Sequence, residues 1–230
     1  MNSERIMTSI KTATPINNYL FSMSNLYGRL PASVVFELIK KYDNPALKEK
    51  DFLRCLKKLE PNPRFFIYSQ TGKTKLSNLE IINSYFESMV HGDKIFTEKY
   101  SRLVDSQEEN KNHFYIPKKS ELLEYESELY FEDSSELNLL IIFVKKHLKR
   151  LSFTPSYEDI ALDILSPLKT ESSLDETLLN LSRIINFSGD PKKDKSLIEK
   201  ILELSRPVYE TTRMWHLCGH APKELTINIK

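Results

Sequence analysis

The stretch KEKDFLRCLKKLE, Lys48 to Glu60, followed by PNPRFFIYSQTGKTKLSNL, Pro61 to Leu79, decides how this chain is read. In the first part Phe52, Leu53, Leu56 and Leu59 recur at helical spacing, with Cys55 beside them. Lys50, Arg54, Lys57 and Lys58 stand at i, i+4, i+7 and i+8 and so share the opposite face. Pro61 and Pro63 end the helix, and RFFIYS is aromatic and β-branched, a strand signal. QTGK then reads as a turn, and KLSNLEII returns as a second strand, placing Lys73 and Lys75 near the tip of a hairpin.

Two helices are expected ahead of this stretch. From Pro15 to Leu30, Ile16, Tyr19, Leu20, Met23, Leu26 and Tyr27 keep helical spacing, and Gly28 marks the stop. Pro31 is expected in the first turn of the next helix, with Val34, Val35, Leu38 and Ile39 as its buried stripe and Asp43, Asn44 and Pro45 as its exit. Residues 1–14 are polar and without period. Three helices and a basic hairpin are the plan of a winged helix, in which the third helix meets the DNA groove and the hairpin reaches phosphate. Residues 1–79 are therefore expected to form a winged-helix-like basic module.

Charge segregation supports a polyanion site. The chain of 230 residues has a net charge of +1, but residues 1–79 carry +7, residues 80–140 carry −8 and residues 141–230 carry +2. The alternative is that the first two segments neutralise each other across a contact.

The remainder, residues 80–230, reads as a helical domain, giving a mainly α chain. A helical stretch over 80–112 is expected around Ile81, Ile82, Tyr85, Phe86 and Met89, then Ile95, Phe96, Tyr100 and Leu103. SQEENKNH at Ser106 to His113 reads as a boundary or exposed loop, and Pro117 precedes a short helix. Glu136 to Leu151 carries the clearest apolar stripe, Leu137, Leu140, Ile141, Val144, Leu148 and Leu151, with Lys145, Lys146, Lys149 and Arg150 at its C-terminal end and His147 at its edge. Helices opened by Ser156 with Asp159, by Ser172 or Ser173, and by Asp190 with Pro191 follow. The acidic segment 121–136, with Glu121, Glu124, Glu126 and Glu128, offers a surface for a basic protein partner. It has no histidine at ligand spacing, so neither acid–base chemistry nor a metal is expected there.

Other chemistries find little support. No glycine run of the phosphate-cradling kind occurs among the five glycines, which argues against P-loop and dinucleotide-binding folds. Cys55 and Cys218 make no disulfide framework, and the first residues lack the apolar core of a signal peptide. LNLLIIFV is about eight residues long where a membrane span needs roughly 20, so a cytoplasmic location without membrane association is expected. His216, Cys218 and His220 alternate, but the spacing fits no zinc-finger pattern, and neither a metal nor a Cys218–His220 nucleophile pair is expected. Met214 and Trp215 are expected in the core, Gly219 at a helix end and Pro222 in a closing turn.

The residues Leu204, Ser205, Thr211, Arg213, Met214, Trp215, Gly219, His220, Pro222, Glu224 and Leu225 form a closing motif within 204–225. It resembles the end of the helical region in a group of uncharacterised bacterial and phage proteins, many of which continue into a SEC-C zinc-binding tail. FYIPKKSELLEY at Phe114 to Tyr125 is similar to a phrase from the same group. The two matches cover about 30 residues of the chain. The resemblance implies no activity. The chain ends five residues past the motif, so the zinc function of that tail is not implied here.

The sequence thus leads to a non-catalytic nucleic-acid-binding protein, with duplex DNA as the expected partner, acting as a regulator or a phage–host conflict factor. The alternative is an inhibitor or adaptor that engages a basic partner through the acidic segment. No cofactor is expected, and a homodimer is compatible with the plan although no heptad seam supports it.

Overall fold

The computed structural model describes residues 15–59, 62–69, 71–72, 75–110, 113–127, 130–147, 156, 161, 164–165 and 189–226. They are mainly helical, with one three-stranded antiparallel sheet in the N-terminal half. Contacts group the chain into two compact units: Met1–Lys111 with Ile116–Tyr130, and Asn112–Tyr115 with Phe131–Lys230.

In the first unit, helix α1 (Ile16–Tyr27) is stopped by Gly28, whose φ of 70° is left-handed and whose N–H bonds Ser24 O at 2.8 Å. The chain turns at once into strand β1 (Arg29–Pro31), and Pro31 then stands as the N-cap of helix α2 (Ala32–Tyr42). Helix α3 (Glu49–Leu59), strand β2 (Phe65–Ser69) and strand β3 (Leu79–Asn83) follow. β3 is central, in the order β1-β3-β2, with Leu30 opposite Ile81 on one side and Ile67 opposite Ile81 on the other. Pro31 lies on edge strand β1, where a missing N–H costs least. Short helix α4 (Glu87–Val90), helix α5 (Lys94–Glu109) and helix α6 (Lys119–Glu124) complete the unit.

α1 is buried on most of its surface: Tyr19, Leu20, Phe21, Met23, Leu26 and Tyr27 are buried, and so are Ser22 and Ser24. α2, α6 and the sheet cover it, so it is the axis of this unit rather than a surface helix. Burial of one such side chain contributes about 1.5–3 kcal/mol.

Four expectations are corrected here. Ser106 to Glu109, expected as part of a boundary or exposed loop, instead form the last turn of α5, with Gln107 buried. The helical reading of 80–112 fails at its start, because Ile81 and Ile82 lie in β3. β3 is flanked on both sides and buried throughout, Glu80 and Asn83 included, and the reading of KLSNLEII as a returning strand is the one that holds over Leu79–Ile82. Pro31 is not in the first turn of α2 but ends β1, and on α2 Phe36 is buried while Val34 is only half-buried. Gly219 ends no helix. Helix α8 (Pro191–Thr211) stops at Thr211, where the hydroxyls of Thr211 and Thr212 both donate to Val208 O at 3.0 and 2.8 Å.

In the second unit, helix α7 (Ser135–His147) packs against α8, which opens as the sequence suggests: Asp190 caps it by accepting the N–H of Lys192 at 3.0 Å, and Pro191 leads its first turn. Phe131, Leu137, Leu140, Val144, Ile201 and Val208 form its core together with Ala161, Ile164 and Leu165. Leu148, Lys149, Arg150 and Leu151, and the helices expected from Ser156 and from Ser172 or Ser173, lie outside the described residues apart from Ser156 itself and those three core positions. Short helix α9 (Pro222–Thr226) starts where a closing turn was expected.

A buried polar network ties β1, β3 and α5 together. The Arg29 guanidinium bonds Glu80, with Nε to Oε1 at 3.0 Å, and Tyr100 donates its hydroxyl to the other oxygen of the same carboxylate. Arg29 also donates to Gln107 Oε1 at 3.4 Å, and Gln107 Nε2 donates to Tyr27 O at 2.9 Å. Burial opposes the charge on Arg29, but the Glu80 carboxylate outweighs it and raises the guanidinium's pKa. Replacing one partner strands the other charge, so Arg29→Met is expected to cost about 3–5 kcal/mol in urea unfolding. Arg29→Met/Glu80→Leu should recover part of that loss; equal losses in the single and double variants would contradict the coupling.

The exit of α2 is tied down in the same way. Tyr42 donates its hydroxyl to Pro117 O at 2.7 Å and stacks on Tyr19, while Asp43 accepts from Tyr19 at 2.7 Å and pairs with Lys119. Burial, then the charges of Tyr19 and Glu121, push the Tyr42 pKa up to about 12; burial and the Glu80 carboxylate raise that of Tyr100 as well. Unfolded tyrosines release their protons near pH 10, as the ordinary value of about 10 requires. The folded chain holds them longer, so this contribution is complete below that pH and is lost as pH rises toward 12. The urea midpoint is expected to fall across this interval, and to fall less steeply in Tyr42→Phe.

Candidate functional site

α3 is anchored by two large side chains. Phe52 and Leu56 are buried, and the Phe52 ring meets that of Phe36 with centroids 5.5 Å apart. Leu53, Cys55 and Leu59 are half-buried, so the inward stripe is narrower than the sequence spacing suggests. Glu49 and Asp51 in the first turn and Lys57 and Lys58 in the last complement the helix dipole.

Lys50, Arg54, Lys57 and Lys58 are all exposed. Lys50, Arg54 and Lys57 line one open depression with Glu49 and Leu53. Arg54 is held by Asp51, Nη1 to Oδ1 at 3.4 Å. An exposed i,i+3 pair of this kind contributes only a few tenths of a kcal/mol, so it orients the guanidinium without withdrawing it from an incoming anion. Leu53, expected on the inward apolar stripe, is half-buried and lines the depression beside the cations.

The connection between β2 and β3 carries the second group. Thr71 and Gly72 are exposed at its bend, where Gly72 has φ of 66°, and Asn78 Nδ2 donates to Thr71 Oγ1 at 3.2 Å across the loop. Lys75 is exposed just before a single 3-10 turn at Leu76–Asn78. It does not line the α3 depression. Lys73 lies outside the described residues.

The acidic segment is divided. Glu121, half-buried, and Glu124, exposed, belong to α6, and Glu126 is exposed just beyond it; Glu124 accepts the hydroxyl of Tyr130. All three fall in the first unit, whereas Glu132 and Glu136 fall in the second. Glu128 lies outside the described residues.

The closing motif has an architectural explanation within the second unit. Arg213 lies over the Tyr115 ring, 3.3 Å from its centroid, and its Nη1 donates to Glu224 at 3.0 Å and to Gly219 O at 3.3 Å. Burial opposes the charge on Glu224, and the Ala221 N–H with Arg213 outweighs it, holding the carboxyl below its ordinary range. Tyr115 N donates to Cys218 O at 3.0 Å, and His220 Nε2 lies 2.9 Å from His113 O. Cys218 and Gly219, at φ of 54° and 79°, take two successive left-handed turns that bring these groups around. Met214 and Trp215 are buried, as expected. His216 and His220 are half-buried and Cys218 is buried; among the described residues no group of three or more His, Cys, Asp or Glu is arranged to hold a metal ion.

Among the described residues no helix is long and apolar enough to cross a membrane. No protein-family model, no curated protein and no solved structure matches the chain.

Cys55 lies on α3 beside the basic face but is not activated by it. Burial raises its thiol pKa, and Lys58 and Arg54 only partly counter that. Cys55 is therefore expected to react with iodoacetamide at pH 7.5 more slowly than a free thiol. Faster labelling than glutathione would mark a thiolate that this environment does not explain.

Proposed function

We propose that the chain is a non-catalytic, duplex-DNA-binding protein and that its N-terminal unit works as a winged helix. The observation that carries the reading is the pairing of an element order with a charge pattern. Helix, strand, helix, helix, strand, strand, with the sheet in the order β1-β3-β2, is the winged-helix arrangement, and the third helix of that series turns its lysines and arginine to solvent.

In this mechanism α3 lies in the major groove. Phe52 and Leu56 fix it to the body of the unit, so the four cations arrive as a rigid row rather than as separate flexible charges. Lys50, Lys57 and Lys58 neutralise phosphates, while Arg54, steadied by Asp51, can reach a base edge. Lys75, exposed in the connection between β2 and β3, contacts the flanking backbone. The chemistry is recognition alone, which suits a regulator or a factor in phage–host conflict, in the cytoplasm. A homodimer on a two-fold site is compatible with this use.

A second reading rests on Glu121, Glu124 and Glu126, which gather around one short helix and its exit. A basic protein could dock there, and the chain would then serve as an inhibitor or adaptor.

Fluorescence anisotropy with random duplex DNA at about 50 and 200 mM salt separates the two. Wild type is expected to bind with micromolar or tighter affinity and to weaken steeply with salt. Lys50/Arg54/Lys57/Lys58→Glu should abolish binding while leaving the fold intact, since all four side chains are exposed. Each single phosphate-contacting lysine changed to alanine should lower the salt slope by about one unit. No binding by folded wild type would remove this reading and turn attention to neutralised variants of the acidic segment in pull-downs.

A further inference from the structure

A second basic concavity occurs in the second unit, on elements that the DNA-binding reading does not use. α7 and α8 leave an open depression of about 480 Å³ between the end of the first and the start of the second. Its floor is apolar: Phe143 and Leu197 are half-buried and pack from outside on the core of the unit. Its rim is cationic, formed by Lys192, Lys193 and Lys200, with His147 beside them. No carboxylate lines it among the described residues.

Two of the three lysines have partners of the exchangeable kind. Lys193 lies 3.7 Å from Asp190 and Lys200 lies 2.7 Å from Glu203, both exposed i,i+3 pairs of the weak, solvent-screened kind. Lys192 is exposed and has no ion pair among the described residues. A phosphate entering the rim would therefore give up little and gain charge-assisted hydrogen bonds. The aromatic element is placed beside it: Phe143 and His147 stack with ring centroids 4.5 Å apart and planes 29° from parallel. Their spacing of one helical turn on α7 holds the imidazole against the phenyl ring, and His147 remains exposed. An apolar floor, a stacked ring and a lysine rim on one side are complementary to a molecule with a flat base at one end and phosphates at the other.

We propose that this depression is a binding site for a nucleoside polyphosphate, with the base against His147 and the apolar floor and the phosphates on Lys192, Lys193 and Lys200. A volume of about 480 Å³ is of the size that small-molecule sites have, within the usual range of about 300–1,000 Å³. The phosphates are held by the lysines of the rim rather than by a glycine-rich loop. It is independent of α3, and its occupancy does not require the DNA-binding reading to hold.

The test is isothermal titration calorimetry of the full chain with ATP and, separately, with inorganic tripolyphosphate. ATP is expected to bind at sub-millimolar concentration and more tightly than tripolyphosphate. Lys192→Ala/Lys200→Ala should weaken both by at least about tenfold, the loss of two charge-assisted contacts. His147→Ala should weaken ATP by about fivefold or more, the lower end of base stacking, and leave tripolyphosphate within about twofold. All three substituted residues are exposed, and circular dichroism checks that the fold is retained. The Lys50/Arg54/Lys57/Lys58→Glu variant should bind ATP as wild type does. The proposal is overturned by the absence of binding at millimolar ATP, or by binding that the lysine variant leaves unchanged. It is overturned equally if ATP and tripolyphosphate bind alike and His147→Ala affects neither, or if a single-stranded oligonucleotide occupies the same lysines more tightly than ATP.

Discussion

The buried ion pair between Arg29 and Glu80 is the constraint on which the N-terminal unit turns. β1 is only three residues long and ends in a proline, so its backbone bonds alone could not fix its register. The guanidinium adds to that specification, because it meets the Glu80 carboxylate in the register that sets Pro31 opposite Glu80. Tyr100 and Gln107 then use the same two side chains to seat α5 against the strands. A buried pair of this kind is costly to desolvate and gives little net stability over a well-packed apolar replacement, whereas losing one partner alone is strongly destabilising.

With the sheet and α5 fixed, the roles of the helices divide by charge. α1 spends its surface on the interior and has nothing left for a partner. α3 does the reverse, with two buried anchors and a row of exposed cations. A helix so held can present charge with little loss of side-chain and backbone freedom on binding, beyond that of the lysine tips themselves. The basic rim on α7 and α8 follows the same logic in the second unit, where half-buried apolar residues form the floor and lysines project past them.

How much of this the sequence discloses depends on the range of the interaction. α1, α3, α6 and α8 are legible from apolar period, from Gly28 and from Asp190 with Pro191, because helix formation and capping are settled within a few residues. The basic face of α3 is legible for the same reason. β1 is not, since three residues that follow a glycine and end in a proline carry no period at all. Ile81 and Ile82 support a helix and a strand equally well until their neighbours across the sheet are known. Arg29, Glu80, Tyr100 and Gln107 are separated by up to 78 positions, and nothing local marks any of them as buried. Gly219 misleads because a left-handed glycine ends helices more often than it follows a left-handed cysteine in a loop. The lysines of the second depression lie among ordinary surface charges in the sequence, and only the packing of α7 on α8 brings them to one rim.

The route of the chain between the two units bears on how this protein can be divided. It crosses from the first to the second after Lys111, returns after Tyr115, and leaves again after Tyr130. A truncated gene ending at residue 111 would therefore encode α1 without α6. Asn25 would lose the Tyr125 carbonyl to which it donates at 2.9 Å, and Asp43 would lose Lys119. A gene starting at 131 would leave Arg213 without the Tyr115 ring beneath it. No single cut leaves both units whole: a cut after residue 111 splits the first, and a cut after residue 130 takes residues 112–115 from the second.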